Sequence, residues 1–477
     1  MDRVSRSKPT VLFLKYHDVN IRPIPDEAER SLQVLPSLGI LYLASYARHN
    51  GYPVKFLDAN ASRLSPESFR YYLKEERPEI VALTTMSAGW PSTVEAAKII
   101  KEVLPDSLLI VGGPHLSIYP ELCLSFPEFD IGIIGDGEET LKEVLDKYSA
   151  GESLENIDGT VIRVGNEAKV NKPRTEFKSI DSYPFPAVDL LQRDLYHALT
   201  VESPFFTMVT SRGCPFKCAF CSQIYNGVSG VRFRSPENVV DEIELYVQQY
   251  GAKEIVFFDE TFTLRKQRVM DICRLLKERQ IKVHFDIRTR VDSVDEEMIK
   301  ELREVGGQRI HFGVEAGNAE ILKRMRKGIT HDQVRQAVSW AKKYGFETRG
   351  YFMIGYLGEN FQTFNDTVNL ACELNLDYAS FSITTPLPAT ELFREASELG
   401  LVSKDYWKKY TLLQQSRQDF PVLETDLWNE AKLHSMLKEA YTRFYLRPKF
   451  VMRRLSKIRT LDDVKELIKA AVIYKSI

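Results

Sequence analysis

The sequence predicts an α/β protein with an N-terminal doubly wound, Rossmann-like domain, a partial (β/α)6 barrel and a helical C-terminal region. Short apolar runs alternate with amphipathic helical patterns over residues 11–149, and a second alternation covers 205–385. Three of the six cysteines fall within eight residues, directly after the first strand of that second series. We place the boundaries at 1–150 for the first domain, 151–200 for a linker with a hairpin, 201–400 for the barrel and 401–477 for the C-terminal region.

The N-terminal domain contains candidate strands at 11–16, 54–59, 80–85, 108–113 and 130–137, separated by helical patterns at 38–50, 65–77, 92–104 and 138–149. Continuously apolar strands between helices are typical of a parallel sheet covered on both faces. Ligands of such sheets lie beyond the carboxyl ends of the strands. The loops there are TTMSAG (84–89), GGPH (112–115) and GDGE (135–138), and their small residues let a large ligand approach the backbone. The sequence therefore predicts a cofactor-sized floor at this edge.

Residues 151–200 lack the alternation of apolar strands and amphipathic helices that the segments on either side show. TVIRVGNEAKVN predicts a hairpin about Gly165 and Asn166, and the proline-broken DSYPFPAVDLL indicates an extended linker. The second series then has candidate strands at 205–210, 254–260, 282–289, 309–317, 349–356 and 378–385, with helical patterns at 235–250, 264–280, 293–305, 331–345 and 361–375. Six consecutive units predict a barrel that stays open, because the closed form has eight. Active residues are expected at the carboxyl ends of its strands.

The composition narrows the class of protein. With 477 residues, 44% hydrophobic and 27% charged, the chain has the make-up of a folded soluble protein, and its net charge of −2 does not favour nucleic acid. The start MDRVSRSKPT has no apolar signal segment, and no apolar run approaches the roughly 20 residues that span a bilayer. Six cysteines in so long a chain are no disulfide framework, so we expect a reducing, cytoplasmic location.

The stretch SRGCPFKCAFCSQ carries the strongest chemical signal, in Cys214, Cys218 and Cys221. Structural zinc takes four ligands, usually in two CxxC pairs, and a redox CxxC needs only two cysteines. Three thiolates on a four-iron four-sulfur (4Fe-4S) cluster leave one iron open to a substrate or cofactor. Burial of all three as small hydrophobic residues is the alternative, and the neighbouring glycine, proline and lysine argue against it. The single cysteines in helical apolar contexts are predicted to be inert: Cys123, Cys273 and Cys372.

The CxxxCxxC loop after the first strand of a six-unit barrel resembles the radical S-adenosylmethionine (SAM) superfamily. The resemblance implies that the three cysteines bind a 4Fe-4S cluster and that SAM binds its open iron. An aromatic residue before the third cysteine packs on the adenine in that family, an acidic segment after the second strand binds the methionine amine, and polar groups after the third and fourth strands meet the ribose and carboxylate. FMIGYLGE and SITTPLPAT resemble later SAM-binding segments. The implied SAM-binding residues are Phe220, Asp259, Glu260, Arg288, Arg290, Glu315, Gly355 and Thr384.

The N-terminal half resembles the cobalamin-binding domain of the enzymes that couple radical chemistry to a corrinoid. PSLGILYLASYARHNGYPVKFLDAN (36–60) matches the opening of that domain, and GGPH and GDGE match two later loops. The DxHxxG signature, whose histidine ligates cobalt in many corrinoid enzymes, is absent. We therefore predict that cobalt has no histidine ligand from the protein, with His17 and His115 as the alternatives. The implied cobalamin-binding residues are Thr84, Thr85, Ser87, Gly112, Gly113, His115, Gly135, Asp136, Gly137 and Glu138.

Together the two resemblances imply a cobalamin-dependent radical SAM methyltransferase. In such an enzyme a 5′-deoxyadenosyl radical removes hydrogen from an unactivated carbon, and methylcobalamin delivers a methyl group. One alternative keeps both cofactors but ends in cyclisation or rearrangement, as in the anaerobic porphyrin-ester cyclases. Another is an iron–sulfur electron carrier or binding protein without turnover. A methylthiotransferase is disfavoured, because its additional N-terminal cysteine triad is missing.

The expected partners are a small-molecule substrate and a reductase such as flavodoxin or ferredoxin, with no nucleic acid. A lipid, a tetrapyrrole or a natural-product intermediate all suit the substrate role. Residues 443–459 include seven basic and no acidic side chains. We predict that this stretch is a solvated basic face packed on the barrel, because single basic runs are common on surfaces. The alternatives are an anchor for anionic lipid at a membrane surface and a clamp for an acidic substrate.

Overall fold

The computed structural model describes residues 8–16, 33–198, 200–222, 230–415 and 420–457. Five parallel strands form the main part of the N-terminal sheet, in the spatial order Val54–Asp58, Val11–Lys15, Ile80–Thr84, Leu108–Gly112 and Ile131–Ile133. The helices of this domain are Leu38–His49, Pro66–Glu76, Trp90–Val103, Pro114–Ile118, Pro120–Cys123 and Glu138–Ala150.

Alternate residues of these strands pack into two separate hydrophobic clusters, one on each face of the sheet. Leu12 and Leu14 pack with Phe69 and the helix Trp90–Val103, whereas Phe13 packs with the helices Leu38–His49 and Glu138–Ala150. Successive side chains of a strand point to opposite faces, so both faces are covered by helices. The predicted doubly wound domain is confirmed.

The hairpin about Gly165 is present, but it is not part of a linker. Its strands, Thr160–Val164 and Glu167–Val170, continue the N-terminal sheet, because the first of them pairs antiparallel with Ile131–Ile133. The assignment of 151–200 as a linker is therefore corrected over the hairpin. The rest of the segment is irregular, with short 3-10 turns at Ile180–Ser182, Val188–Leu190 and Arg193–Leu195, and with His197–Ala198 paired to Gln33–Val34.

The second domain is a parallel sheet of six strands whose spatial order follows the sequence. The strands are Phe205–Met208, Glu254–Phe257, His284–Thr289, Gly307–Glu315, Glu347–Ile354 and Tyr378–Ile383. The outer helices are Pro236–Tyr250, Lys266–Glu278, Glu296–Glu304, Ala319–Arg324, His331–Lys343 and Phe361–Glu373. The first and last strands do not pair with each other, so the predicted partial barrel is confirmed.

The C-terminal region contributes the helices Glu391–Glu398, Tyr406–Thr411, Glu430–Tyr445 and Pro448–Lys457. The third of these covers the open edge of the barrel. Tyr445 Oη accepts a hydrogen bond from Ala379 N (3.1 Å) and donates one to Ala379 O (2.9 Å), and Tyr441 does the same at Phe381. Two phenols thus satisfy the backbone groups that an edge strand leaves unpaired.

The basic stretch packs on the barrel where the structure describes it. Arg443 donates to Asn365 Oδ1 at 2.6 Å, and Arg453 donates to the carbonyl oxygens of Asn375 (2.9 Å) and Leu376 (2.7 Å). These arginines serve intramolecular contacts, which favours the packed face over a lipid anchor. Among the described residues, no helix is long and apolar enough to cross a bilayer.

Candidate active site between the two domains

A cavity of about 340 Å³ lies between the carboxyl edge of the N-terminal sheet and the strand ends of the barrel. Its volume is within the range of small-molecule sites, about 300–1,000 Å³. From the predicted cofactor set it is lined by Thr84, Gly112, Gly113, Gly135, Asp136, Gly137, Glu138 and Glu260. Sequence reasoning missed other lining residues, among them Leu38, Gly39, Tyr42, Ser211, Arg212, Gly213 and Phe258.

Gly113 allows two of the cavity loops to touch. Its φ of +107° lies in a region that L side chains rarely adopt, and a Cβ there would stand 2.5 Å from Thr85 O. Only glycine therefore permits this close approach of the loops after the third and fourth strands of the domain.

His115 points away from the cavity and is fully buried. Its Nδ1 lies 3.1 Å from Ser87 Oγ and its Nε2 lies 3.1 Å from Thr411 Oγ1, while Trp90 Nε1 donates to Thr411 O at 2.7 Å. Burial lowers the pKa of His115 to about 3, so the ring is neutral. This cluster joins the N-terminal domain to the helix Tyr406–Thr411.

Thr85, Ser87 and His115 are not among the residues that line the cavity, and their predicted contacts with cobalamin stay predictions. Both nitrogens of His115 are engaged within the protein, which supports the prediction that cobalt receives no imidazole from it. His17, the other alternative, lies outside the described residues.

Asp136 and Glu138 face the barrel as well as the cavity. Arg212 contacts Asp136 Oδ2 at 3.0 Å and Glu138 Oε1 at 2.5 Å, and Arg232 forms a further ion pair with Asp136. The guanidinium of Arg212 also lies 5.5 Å from the Tyr42 ring centroid. These contacts tie the GDGE loop to the segment that leads into the cysteines.

The cysteine loop starts directly after Arg212 and is held in place by contacts with later segments of the barrel. Arg290 approaches Cys218 Sγ at 3.7 Å, donates to Lys327 O at 2.6 Å and pairs with Asp292 at 2.8 Å. Backbone hydrogen bonds from Ala219 N to Met325 O and from Leu392 N to Ala219 O, both 2.9 Å, fix the turn between the second and third cysteines. Arg290, predicted to bind SAM, therefore supports the loop in this arrangement.

Over the described ranges, no three His, Cys, Asp or Glu side chains meet closely enough to hold a single metal ion. A 4Fe-4S cluster does not require this, because each thiolate binds a different iron. None of the six cysteines forms a disulfide; Cys123 and Cys273 are fully buried and Cys372 is half-buried.

The two acidic residues after the second barrel strand differ in their surroundings. Asp259 is buried and accepts hydrogen bonds from Thr210 Oγ1 (2.7 Å), Thr210 N (3.0 Å) and Ser211 Oγ (2.5 Å), so its carboxylate holds the segment that leads to the cysteines. Glu260 is exposed and lines the interdomain cavity. Loss of solvation and the nearby charge of Asp259 raise the pKa of Glu260 to about 7, against the opposite influence of Arg288. Glu260 is the better placed of the two to meet a ligand.

Glu315 ends the fourth barrel strand at a φ of +68°, an uncommon conformation for a residue other than glycine. Its Oε1 pairs with the Nζ of Lys327 at 2.7 Å, and that Nζ lies 6.0 Å from the centroid of Phe220. Thr384 is fully buried, and its Oγ1 has no hydrogen-bond partner among the described residues. Such an atom suits a bound polar ligand, since buried polar groups are normally paired.

Gly355 adopts a φ of +77° and donates its backbone N–H to Glu359 Oε2 at 2.5 Å. A Cβ on Gly355 would stand 2.6 Å from Leu433 Cδ2, so the turn packs against the helix Glu430–Tyr445. Its predicted contact with SAM stays a prediction, as do those of Phe220, Glu315 and Thr384.

Comparison with known proteins gives two family matches: residues 208–371 match the Radical SAM superfamily and residues 28–145 match the B12 binding domain. A protein of Pyrococcus horikoshii described as an uncharacterized methyltransferase is 35% identical over 88% of this chain and 89% of its own length. The chain belongs to the cobalamin-dependent radical SAM enzymes. An anaerobic magnesium-protoporphyrin IX monomethyl ester cyclase of Rubrivivax gelatinosus is 27% identical over 88% of the chain and 76% of its own length.

Solved structures confirm the fold of this cobalamin-dependent radical SAM enzyme. OxsB, a cobalamin-dependent SAM radical enzyme, superposes with a TM-score of 0.73 at 19% identity, covering 98% of this chain and 71% of its own. TsrM of Kitasatospora setae, a radical SAM methyltransferase, gives 0.69 at 18% identity, covering 82% and 76%.

The cofactors of a cobalamin-dependent radical SAM enzyme are a 4Fe-4S cluster, SAM and cobalamin, and the residues present fit them. The glycine-bearing loops leave an open floor for a large planar ligand, and the unpaired Oγ1 of Thr384 offers a polar contact. Three thiols with the CxxxCxxC spacing lie on a firmly anchored loop beside that floor. When bound, the cluster and SAM would supply one-electron chemistry beside the corrinoid.

The raised pKa of Glu260 predicts a pH dependence of SAM binding. A carboxyl group with a pKa of about 7 is mostly neutral at pH 6 and mostly ionised at pH 8, and only the ionised form attracts the ammonium of SAM. We expect the affinity for SAM, measured by equilibrium dialysis of the anaerobic holoenzyme, to rise over this interval. Glu260→Gln should bind more weakly at pH 8 and lose the rise. An equally steep profile in the variant would contradict this role.

Proposed function

We propose that this enzyme is a C-methyltransferase that removes hydrogen from an unactivated carbon of a small-molecule substrate and places a methyl group there. The observation that carries the proposal is the shared cavity: Gly112 and Gly113 of the predicted corrinoid floor line the same space as Gly213 and Glu260 at the barrel. A carbon radical made at the barrel end would then meet a methyl donor without crossing solvent, which limits side reactions.

The protein's own residues hold the parts of this site together. Arg290 fixes the cysteine loop from below, and Arg212 links that loop to Asp136 and Glu138 on the corrinoid side. Glu260 lines the cavity and would bind the ammonium group of SAM, and Phe258 and Tyr42 wall the cavity with aromatic surface. The methyltransferase description of the relative from Pyrococcus horikoshii agrees with this assignment.

We also propose that electrons come from a flavodoxin or ferredoxin and that the enzyme works in the cytoplasm. A cluster that must be reduced before each turnover requires a low-potential donor and suits a reducing compartment. No two of the six cysteines form a disulfide, which is consistent with such a compartment.

A cyclisation or rearrangement is the second candidate, because the chain is 27% and 28% identical to two anaerobic magnesium-protoporphyrin IX monomethyl ester cyclases. Such a reaction uses the same cofactors but leaves the carbon count of the substrate unchanged. A tetrapyrrole substrate belongs to this candidate.

The deciding experiment incubates the anaerobic holoenzyme with reduced flavodoxin, SAM labelled with a trideuteromethyl group, and a metabolite extract from a strain lacking the gene. We expect 5′-deoxyadenosine and a metabolite in which one trideuteromethyl group replaces one hydrogen. A product without added carbon would instead establish the cyclase. Absence of both 5′-deoxyadenosine and a labelled product would contradict the proposal and favour an electron carrier.

A further inference from the structure

The interior of the barrel is polar and partly open. Along Glu347–Ile354, every second residue is buried against the outer helices, whereas Arg349, Tyr351 and Met353 between them are only half-buried. The last strand, Tyr378–Ile383, shows the same alternation, with Ser382 exposed. Because successive side chains point to opposite faces, the more accessible set faces the interior. Phe258 and Glu260, which follow the second barrel strand, also line the interdomain cavity.

Two arginines stand at one level of this interior. In the strand register, Arg288 is opposite His311, and His311 is opposite Arg349. Neighbouring strands are about 4.8 Å apart, so the Cα atoms of the two arginines are separated by roughly 10 Å, and their long side chains reach into the same space. Phe258, which lines the cavity, has the guanidinium of Arg288 3.9 Å from its ring centroid.

The Nε of Arg288 and the Nε of Arg349 are both buried, and neither has a hydrogen-bond acceptor in the part of the chain that the structure describes. The neighbouring carboxylate, Asp286, is already shared: its Oδ1 lies 3.1 Å from His311 Nε2, and its Oδ2 lies 3.4 Å from Arg309 Nε. His311 Nδ1 contacts Tyr351 Oη at 2.9 Å. The histidine is thus held in place, and the two guanidinium groups retain donors for a ligand.

The charged groups around Arg288 and Arg349 indicate which kind of ligand the two arginines can bind. Glu260 also interacts electrostatically with Arg288, and its pKa of about 7 leaves it only partly ionised near neutrality. A buried donor without an acceptor is costly, and the planar guanidinium fork matches the oxygens of carboxylates and phosphates. The unpaired donors therefore indicate an anion that arrives with the substrate.

We propose that Arg288 and Arg349 bind an oxyanion of the substrate, a carboxylate, phosphate or phosphonate, at the floor of the barrel. The inference rests on the proposed function, since it assumes that a substrate enters beneath the cofactors. It assigns Arg288 to the substrate rather than to SAM, for which the sequence resemblance had implied it. The oxyanion anchors the substrate, and the reacting carbon lies above it, towards the interdomain cavity.

The test measures binding of two probes, inorganic pyrophosphate and succinate, to the anaerobic holoenzyme by calorimetry at fixed ionic strength. We expect saturable binding of at least one probe, weakened about tenfold or more in Arg288→Gln and in Arg349→Gln. The matched control is Arg274→Gln, since Arg274 is exposed on an outer helix and pairs with Glu278, and it should bind as the unaltered enzyme does. Stronger binding of pyrophosphate indicates a phosphate or phosphonate, and stronger binding of succinate indicates a carboxylate.

Arg349→Lys provides a second variant that keeps the charge but removes the fork, and its probe affinity should fall between those of the unaltered enzyme and Arg349→Gln. Absence of saturable binding, or equal binding by the glutamine variants and the control, would overturn the proposal. So would a loss of SAM affinity in Arg288→Gln that matches its loss of probe affinity, because Arg288 would then serve the cofactor. Iron content and SAM cleavage are measured on the same samples of the unaltered enzyme, so a failure of the proposed function is seen separately from a failure of anion binding.

Discussion

Replacing Cys214, Cys218 and Cys221 together with alanine should leave a folded protein that holds no iron–sulfur cluster and does not cleave SAM. The loop keeps its shape through backbone hydrogen bonds of Ala219 to Met325 and Leu392, and these do not involve the thiols. The fold should therefore survive the loss of three small side chains. Cluster binding should not, because thiolates are the ligands that the irons require.

The measurements are the visible absorbance of the reconstituted cluster, iron per chain, and 5′-deoxyadenosine formed from SAM with dithionite. Cys372→Ala is the matched control, since Cys372 lies half-buried on the helix Phe361–Glu373, far in sequence from the other cysteines. It should retain the full cluster and the full rate. A triple variant that keeps its iron would show that the cluster is bound elsewhere.

The fold was predictable because its signals are local and repeated. Runs such as 80–84 and 108–112 are continuously apolar and are separated by amphipathic helices, and this pattern specifies a parallel sheet without knowledge of distant contacts. The hairpin about Gly165 was equally local. The pairing of the hairpin with Ile131–Ile133 could not be predicted, because the same turn sequence is compatible with a hairpin at either edge of the sheet or in a free linker.

The candidate site was predictable where backbone shape decides it. Gly113 is required by the close approach to Thr85, and a glycine in a loop after a buried strand is visible in the sequence. The polar side chains depended on partners far along the chain. His115 turns away to meet Thr411, 296 residues later, and Glu138 meets Arg212 across 74 residues. The sequence around His115 and Glu138 does not indicate that Thr411 and Arg212 are their partners.

The roles of the polar residues inside the barrel could not be predicted from the sequence alone. Asp259 and Glu260 are adjacent, and the resemblance assigned both to SAM. In the loop after the second barrel strand, Asp259 bonds to Thr210, whereas Glu260 lines the cavity. Arg288 and Arg349 lie in the third and fifth barrel strands. Both are opposite His311 of the fourth strand, and this alignment is known only from the register of the sheet.

Arg212→Gln should weaken the contact between the N-terminal domain and the segment that leads into the cysteines. The Arg212 side chain is 19% exposed and that of Glu138 only 4%, so the ion pair between them is largely removed from water. Breaking a buried pair by removing one partner leaves an uncompensated charge and costs about 3–5 kcal/mol. Asp136 keeps its contact with Arg232, but Glu138 loses the guanidinium group that pairs with it. We expect a lower free energy of unfolding and less than the full complement of corrinoid per chain.

The unfolding of the apoprotein in urea and the corrinoid content after reconstitution with hydroxocobalamin measure the two effects. Arg70→Gln is the control, because the pair between Arg70 and Glu102 is a solvent-exposed one, with side chains 35% and 60% exposed. Its loss should cost no more than about 1 kcal/mol and leave corrinoid binding intact. Arg212→Lys, which keeps the charge but cannot bridge both carboxylates with two nitrogens, should fall between the two. If Arg212→Gln instead unfolds at the same urea concentration as Arg70→Gln and holds the same amount of corrinoid, the ion pairs do not join the domains, and the cavity is shaped by apolar packing alone.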